Sequence, residues 1–187
     1  MAKRLSVSQL KKELGQKSEE EVISFICTVY KKSKEAQTLI NIMLGNTSII
    51  EDRLNEAKKK IRGQFYTNSG GYRNPNLREC RSIISSFEKV YDYKQYTIDL
   101  RLYYVECGVE YTNDLGDIYD SFYNSLLNAY ENVINTLIDS EDWELAEYFM
   151  PRLDQIVDDT GGIGFGFHDE LSILTRMLKK RVAENRP

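Results

Sequence analysis

Hydrophobic residues recur along most of this chain at spacings of three and four positions, which is the period of an α-helix. No segment shows a sustained two-residue alternation, the pattern of a half-buried strand. The 187 residues include only three prolines, so few positions interrupt a helix. The pattern predicts an all-α protein with apolar stripes at Val22, Ile26 and Val29, then at Ile50, Leu54, Ala57, Ile61 and Phe65, and then at Leu77, Cys80, Ile84, Phe87 and Tyr91.

Several helix ends can be predicted from capping residues. Ser18 and Ser48 are each followed three positions later by a glutamate, which is the pattern of a capping box at a helix start. Asn74 before Pro75 predicts another N-cap, with proline in the first helical position. Pro151 lies inside a helical pattern and predicts a kink or a break there, because proline removes a hydrogen bond and crowds the preceding turn.

The helix that follows a break near Asp92 carries two apolar stripes, so it must be covered on two sides. These stripes are Leu100, Tyr104, Cys107, Tyr111 and Leu115 on one line and Ile98, Leu102, Val105 and Val109 on the other. A third line on the same helix is polar and comprises Asp99, Tyr103, Glu106, Glu110 and Asn113. The pattern predicts a central helix whose third side faces water or a partner.

Eight or nine such helices, in consecutive pairs of roughly 40 residues, are typical of stacked antiparallel helical hairpins, as in a short HEAT-like or armadillo-like solenoid. No residue-level repeat is visible, so an irregular helical bundle is the alternative. The chain is long enough for one hydrophobic core, and we predict a single domain over residues 1–187. Within it we expect basic N-terminal helices, a loop, central acidic Tyr-rich helices, and a Gly-rich loop with a C-terminal helix, at 1–66, 67–76, 77–160 and 161–187.

Charge is distributed unevenly along the chain. Residues 95–160 contain fifteen Asp or Glu against two basic residues, a formal charge of −13 in a protein whose total is −4. The first 94 residues carry eighteen Lys or Arg against eleven acidic residues, a net charge of +7. Such a chain either pairs its two halves internally or presents an acidic surface to something else.

The cellular compartment can be predicted from what the sequence lacks. No apolar run approaches the about 20 residues of a membrane span, and the opening residues show no secretory signal pattern. The three cysteines, Cys27, Cys80 and Cys107, are widely spaced at apolar helical positions, which is typical of reduced core residues. We expect a cytoplasmic protein with no membrane segment and no cofactor.

Tyrosine is concentrated in the acidic part of the chain, where residues 91–130 hold nine of the thirteen. Its apolar ring and polar tip favour both the edges of helix packing and protein interfaces. An exposed acidic strip with tyrosine would attract a basic peptide or a basic protein subunit. We therefore predict a non-enzymatic protein–protein interaction module, with a partner surface formed by Tyr103, Glu106, Glu110, Asn113 and Asp114.

A nucleic-acid interface is the first alternative. Residues 53–81 contain eight basic residues against two acidic ones, with aromatic residues around a Gly-rich loop. Cations combined with aromatic stacking are what single-stranded nucleic-acid binding requires. The sequence pI of about 5.2 opposes this hypothesis. The residues that would carry it are Arg62, Tyr66, Tyr72, Arg73, Arg78 and Arg81.

A metal-dependent hydrolase is the second alternative, and it would use the only histidine, His168, together with carboxylates. Further ligands would have to converge from other helices, such as Glu106 and Glu110 at i, i+4 spacing. The sequence contains no Glu-x-x-His pair, Gly-x-Ser-x-Gly elbow, phosphate loop or dinucleotide fingerprint. We therefore predict no metal site and no enzymatic activity.

The segment 102–118, LYYVECGVEYTNDLGDI, followed by Phe-Tyr-Asn-Ser at 122–125, resembles the central block of a small bacterial family known only as a domain of unknown function. The opening Lys-Lys-Glu-Leu at 11–14 and the helical segment 54–61 are similar as well, so the resemblance covers most of the chain. It implies an all-helical cytoplasmic protein. It implies no activity, so it assigns no catalytic residue.

Overall fold

The computed structural model describes residues 5–46, 48–91 and 93–185. These residues form nine α-helices and no β-strand, with one isolated antiparallel bridge between Tyr66 and Tyr72. The all-α prediction is confirmed. None of the described helices combines the length and the apolar character that a membrane span requires. The helices are α1 (Val7–Leu14), α2 (Glu19–Lys32), α3 (Lys34–Met43), α4 (Ser48–Phe65), α5 (Leu77–Val90), α6 (Lys94–Leu115), α7 (Asp120–Ser140), α8 (Trp143–Asp159) and α9 (Phe167–Glu184).

Internal contacts divide the chain into two compact units, residues 1–50 and residues 51–187. The boundary between them falls inside the first turn of α4. The single domain over residues 1–187 stays a prediction.

The unit of residues 1–50 contains α1, α2 and α3. The capping box at Ser18 is confirmed: its hydroxyl accepts the Glu21 N–H, and the Glu21 carboxylate accepts the Ser18 N–H. Ser33 ends α2 and caps α3 through its hydroxyl. The helices α2 and α3 pack together, and Asn41 Nδ2 donates to the Tyr30 hydroxyl at 3.1 Å.

Three predicted helix boundaries differ in the structure. Ser48 is itself the first residue of α4, and its hydroxyl donates to Asn46 Oδ1 at 2.7 Å. The cap of α5 is Asn76 rather than Asn74, and its side chain accepts the Glu79 N–H. The prediction missed this because two asparagines precede the helix and residue type alone favours neither. No break occurs at Pro151, since α8 continues through it.

In the unit of residues 51–187, α6 is central and contacts α5, α7 and α8. The central-helix prediction is confirmed, although Leu115, at the end of one predicted stripe, is 46% exposed. The residues of the two stripes that are buried are Ile98, Leu100, Leu102, Tyr104, Val105, Cys107, Val109 and Tyr111.

The last four helices contact one another in a ring, α6 with α7, α7 with α9, α9 with α8, and α8 with α6. This arrangement matches the predicted bundle alternative, although α6–α7 and α8–α9 are also consecutive pairs, as in stacked hairpins. At the contact between α6 and α7, a Cβ atom on Gly108 would lie only 2.4 Å from Leu126 Cδ1. Between α7 and α9, the hydroxyl groups of Tyr130 and Thr175 are 2.6 Å apart. Close packing and buried hydrogen bonds therefore hold these helices together.

Candidate interaction surface on the central helix

The polar side of α6 is held by cations from two neighbouring helices. Arg152 on α8 donates to Asp99 Oδ1 at 2.5 Å and to the two Glu106 carboxylate oxygens at 2.5 and 2.8 Å. Lys58 on α4 donates to Asp99 at 2.8 Å. Burial by itself lowers the pKa of the Arg152 guanidinium, but its bonds to Glu106 and Asp99 outweigh burial and raise the pKa. The four side chains are 22 to 33% exposed and form a half-buried network.

Glu110, one turn further along α6, has its own cation. Arg62 Nη1 and Nη2 donate to the two Glu110 oxygens at 2.8 and 2.9 Å, which is the bidentate geometry that makes such pairs specific. These hydrogen bonds lower the pKa of Glu110, although partial burial opposes them. The guanidinium also lies over the Tyr66 ring, 4.6 Å from its centroid. Glu110 is thus paired within the chain, although it is 45% exposed.

Part of the uneven charge is therefore neutralised internally. Lys58 and Arg62 belong to the basic first half, and they pair with Asp99 and Glu110 of the acidic segment. Internal pairing, the first of the two possibilities raised by the sequence, is therefore present on α6.

The other predicted surface residues lie at different depths. Tyr103 is half-buried, and the Lys58 amine lies 5.5 Å from the centroid of its ring. Burial raises the pKa of the Tyr103 phenol. Asn113 is exposed, and its Nδ2 donates to the Asp159 carbonyl at 2.9 Å, which links the end of α6 to the end of α8. Asp114 is exposed.

Four of the five predicted surface residues line one groove between α6 and α8, which we call the acidic groove. Its volume is about 410 Å³. Tyr103 lies outside it and instead lines a groove beside Lys58, Lys59 and Arg62 on α4. The lining of the acidic groove comprises Glu106, Val109, Glu110, Asn113 and Asp114 from α6, with Ile156 and Asp159 from α8.

Carboxylates outnumber their cations in the acidic groove. Of the four carboxylates, those of Glu106 and Glu110 are paired with arginines. Asp114 and Asp159 have no ion-pair partner among the described residues, and Asp159 Oδ1 only accepts from Gln155 Nε2 at 2.8 Å. Val109 and Ile156, both buried, add apolar atoms to the groove lining. The groove can therefore offer negative charge and apolar contact together.

The residues of the nucleic-acid alternative divide into two groups. Three are engaged inside the chain: Arg62 with Glu110, Arg81 with the Ser125 hydroxyl at 2.6 Å, and Tyr66, which is only 8% exposed. Tyr66 lies among the rings of Phe65, Tyr72 and Tyr111. The other three are exposed, namely Tyr72, Arg73 and Arg78.

Most of the clustered tyrosines serve packing. Five of the nine in residues 91–130 are buried, namely Tyr91, Tyr104, Tyr111, Tyr123 and Tyr130. Burial also raises the pKa of the Cys80 and Cys107 thiols to about 12, in agreement with their prediction as core residues. The same prediction was wrong for Cys27, which is exposed. It lies on α2, a helix without a buried residue.

His168 occupies the second position of α9, where its Nδ1 lies 2.9 Å from the Thr160 hydroxyl. Within residues 5–46, 48–91 and 93–185, no group of three or more His, Cys, Asp or Glu side chains could hold a metal ion. The metal ligands of the hydrolase alternative, His168 with Glu106 and Glu110, therefore do not form a cluster in the structure.

A family model, that of a family of unknown function (DUF6155), matches residues 1–173 of the chain. The chain belongs to this family. No curated protein and no solved structure matches the DUF6155 chain. Membership confirms the resemblance noted in the sequence, and it attaches no activity to any residue.

Three residues in or beside the acidic groove of this DUF6155 protein were not predicted: Ile156 and Asp159, which line it, and Arg152, which binds Glu106. Arg152 carried a usable signal, since it is one of only two basic residues in the acidic segment 95–160, and a cation surrounded by carboxylates is expected to be paired. Ile156 and Asp159 carried none, because only the tertiary contact between α6 and α8 brings them to Glu106 and Asp114.

Proposed function

We propose that this protein is an interaction module that binds a basic segment of a partner protein in the acidic groove between α6 and α8. The observation that carries the proposal is the pair of carboxylates without a cation, Asp114 and Asp159, beside the buried apolar residues Val109 and Ile156. The proposal includes no catalytic step.

The arrangement supports a basic partner for a simple electrostatic reason. Arg62 and Arg152 fix Glu110 and Glu106 in position, so these two carboxylates shape the groove without adding net charge. Asp114 and Asp159 supply the excess, and complementary charge steers association and selects the partner. A lysine or arginine side chain can place its apolar stem against Val109 and Ile156 while its charged end meets the carboxylates.

A direct test uses a labelled hexa-arginine peptide as the probe and fluorescence anisotropy of the full chain. We expect the double substitution Asp114→Asn with Asp159→Asn to weaken binding by roughly fivefold to tenfold, because each exposed charge pair is worth less than about 1 kcal/mol. The matched control is Glu131→Gln with Asp139→Asn, which removes two exposed carboxylates from α7. Equal weakening by both double variants would mean that the peptide senses only net charge, and would contradict a groove site.

Arg152→Met provides a test with the opposite sign. Removing this guanidinium leaves Glu106 without its cation, so we expect the peptide to bind severalfold more tightly if the groove is the site. Unchanged or weaker binding in a variant that circular dichroism shows to be folded would count against the proposal.

The nucleic-acid hypothesis stays a prediction, and it is supported by the exposed Tyr72, Arg73 and Arg78. A gel shift with generic oligonucleotides under salt titration separates the two hypotheses, since phosphate binding gives a steep dependence on salt. The triple substitution of these three residues by alanine should abolish such a shift and leave the hexa-arginine affinity unchanged.

A cytoplasmic location and a bacterial origin are further parts of this proposal. The location is supported by the three free cysteines, Cys27, Cys80 and Cys107. Fractionation of the native host followed by detection of the protein would test it.

A further inference from the structure

A second groove, which we call the basic groove, lies between α4 and Tyr103 of α6 and has a volume of about 740 Å³. Pockets for small ligands typically measure about 300 to 1,000 Å³. The lining of the basic groove contains three cationic side chains and no carboxylate, although the chain as a whole carries a net charge of −4. It includes Asn55, Lys58, Lys59, Arg62 and Gly63 of α4, with Asn68 after the end of that helix.

Two of the three cations are held in place by contacts on their outer sides. Lys58 donates to Asp99 at 2.8 Å, and Arg62 donates to both oxygens of Glu110 at 2.8 and 2.9 Å. Neither carboxylate lines the basic groove. Arg62 uses only two of its five N–H groups in this pair, so it keeps donors for a ligand. Because both cations are already ordered, an anion that binds them loses less conformational entropy.

The third cation supplies the excess charge. Lys59 is exposed and has no ion-pair partner in the part of the chain that the structure describes. Asp99 and Glu110 offset the charges of Lys58 and Arg62, so the groove keeps one positive charge through Lys59. The exposed amide groups of Asn55 and Asn68 add neutral hydrogen-bond donors.

The basic groove also contains a glycine that packing does not explain. The described helices contain two glycines, Gly63 and Gly108. Gly108 is required by packing, since a Cβ atom there would lie 2.4 Å from Leu126, whereas a Cβ atom on Gly63 would meet nothing within 4 Å and the φ of Gly63 is not in the left-handed region. Glycine inside a helix is destabilising relative to alanine. A helical glycine without a packing role indicates that a ligand approaches the backbone closely, here one turn from Lys59 and next to Arg62.

We propose that the basic groove binds a small phosphorylated molecule, with its phosphate group at Lys59, Arg62 and Gly63. A phosphate group carries nearly two negative charges at neutral pH and three acceptor oxygens, so it can bind several cationic donors at once. The missing side chain at Gly63 leaves the space that the phosphate oxygens fill.

A small ligand fits this groove better than an extended polyanion such as a nucleic-acid strand. The exposed Arg73 and Arg78, which support the nucleic-acid hypothesis, do not line the groove. A strand that extended beyond the groove would meet a chain whose residues 95–160 carry a formal charge of −13. A molecule confined to the groove avoids this repulsion.

The first test is an NMR titration of the ¹⁵N-labelled full chain with phenyl phosphate as the probe. We expect saturable shifts of the backbone amides of residues 59–63, with a Kd on the order of 1 mM. Benzoate has the same ring but one charge and only two oxygens, so it should bind severalfold more weakly. Absence of saturable shifts at these amides, equal affinity for benzoate, or tighter binding of a generic oligonucleotide at the same amides would each overturn the proposal.

Two pairs of matched variants locate the phosphate. Lys59→Gln should weaken binding by roughly threefold to fivefold, whereas Lys60→Gln, the next residue on α4, also exposed but outside the groove, should leave the affinity unchanged. Gly63→Leu should weaken binding by more than about tenfold because leucine fills the groove. The same substitution should not lower the urea midpoint, because leucine favours the helix. Gln64→Leu adds a leucine outside the groove and should not affect binding.

Equal effects within either pair of variants would refute this site. Hexa-arginine binding provides an independent readout, because neither Lys59 nor Gly63 lines the acidic groove. It should stay unchanged in Gly63→Leu, so a failure of the phosphate site can be distinguished from a failure of the acidic groove.

Discussion

Replacement of Gly108 by alanine tests a close contact between α6 and α7. A Cβ atom there would lie 2.4 Å from Cδ1 and 2.6 Å from Cδ2 of Leu126. Carbon atoms in ordinary contact are about 3.5 to 4.0 Å apart, so the Leu126 side chain or the two helices must move by about 1 Å. Leu126 is fully buried, which leaves little room for that movement.

Two opposing effects set the magnitude. Overpacking of a filled core costs typically about 1 to 3 kcal/mol, whereas replacing glycine by alanine inside a helix stabilises it by about 1 kcal/mol. We therefore expect Gly108→Ala to lower the free energy of unfolding by about 1 kcal/mol. The matched control is Gly63→Ala in α4, where a Cβ atom would meet nothing within 4 Å and the helical gain should appear unopposed.

The assay is urea unfolding monitored by circular dichroism. A second substitution, Leu126→Ala, is measured alone and in combination with Gly108→Ala. That substitution alone should destabilise the protein by about 2 to 5 kcal/mol. In its background, Gly108→Ala should become stabilising, because the new methyl group enters the space that Leu126 vacates. If Gly108→Ala instead stabilised the wild-type chain as much as Gly63→Ala does, the close contact between α6 and α7 would be refuted.

Two further predictions concern the ion pairs on α6. Arg152→Met should lower the free energy of unfolding by about 1 to 3 kcal/mol, less than the loss of a fully buried ion pair would cost, because the arginine side chain is 27% exposed. Adding Glu106→Gln to this variant should recover part of the loss. An unchanged urea midpoint for Arg152→Met would contradict the ion-pair network. The pair of Arg62 with Glu110 should make stability depend on pH. The pKa of Glu110 is lowered in the folded state, so the pair stabilises the protein above the ordinary glutamate pKa of about 4.3 and this contribution is lost as pH falls through the folded value. Arg62→Gln should accordingly cost about 0.5 kcal/mol near neutral pH and almost nothing in acid, and an equal cost in urea titrations at both pH values would show that the arginine acts through packing instead.

The sequence predicted the helices well because helical periodicity is a local property. The stripes on α4, α5 and α6 are readable from spacing alone. All of their residues are buried in the structure except Leu77 and Leu115. The capping box at Ser18 was equally readable, since its hydrogen bonds join residues three positions apart. The polar line on α6 was also correct as a line, because residues at i, i+3 and i+4 share a side in any α-helix.

The sequence could not predict which side chain each polar residue of α6 binds. Glu106 and Glu110 looked alike in sequence, yet one is held by Arg152, 46 positions away, and the other by Arg62, 48 positions away. The same limit applies to Tyr66, which seemed available for base stacking but is buried among aromatic rings. The ion-pair partner and the burial of a residue depend on which helices pack against each other. The type of a single residue does not indicate which helices these are.

The amino-acid sequence by itself determined that this chain is helical, that α6 is covered on two sides, and that acidic charge is concentrated around it. The tertiary structure alone decided which carboxylates around α6 are paired with a cation and which, among the described residues, are not. The physical reason is the separation of the interacting residues along the sequence. Helical periodicity arises from residues within four positions of each other, whereas the net charge of a surface depends on arginine and lysine side chains from helices that are distant in the sequence.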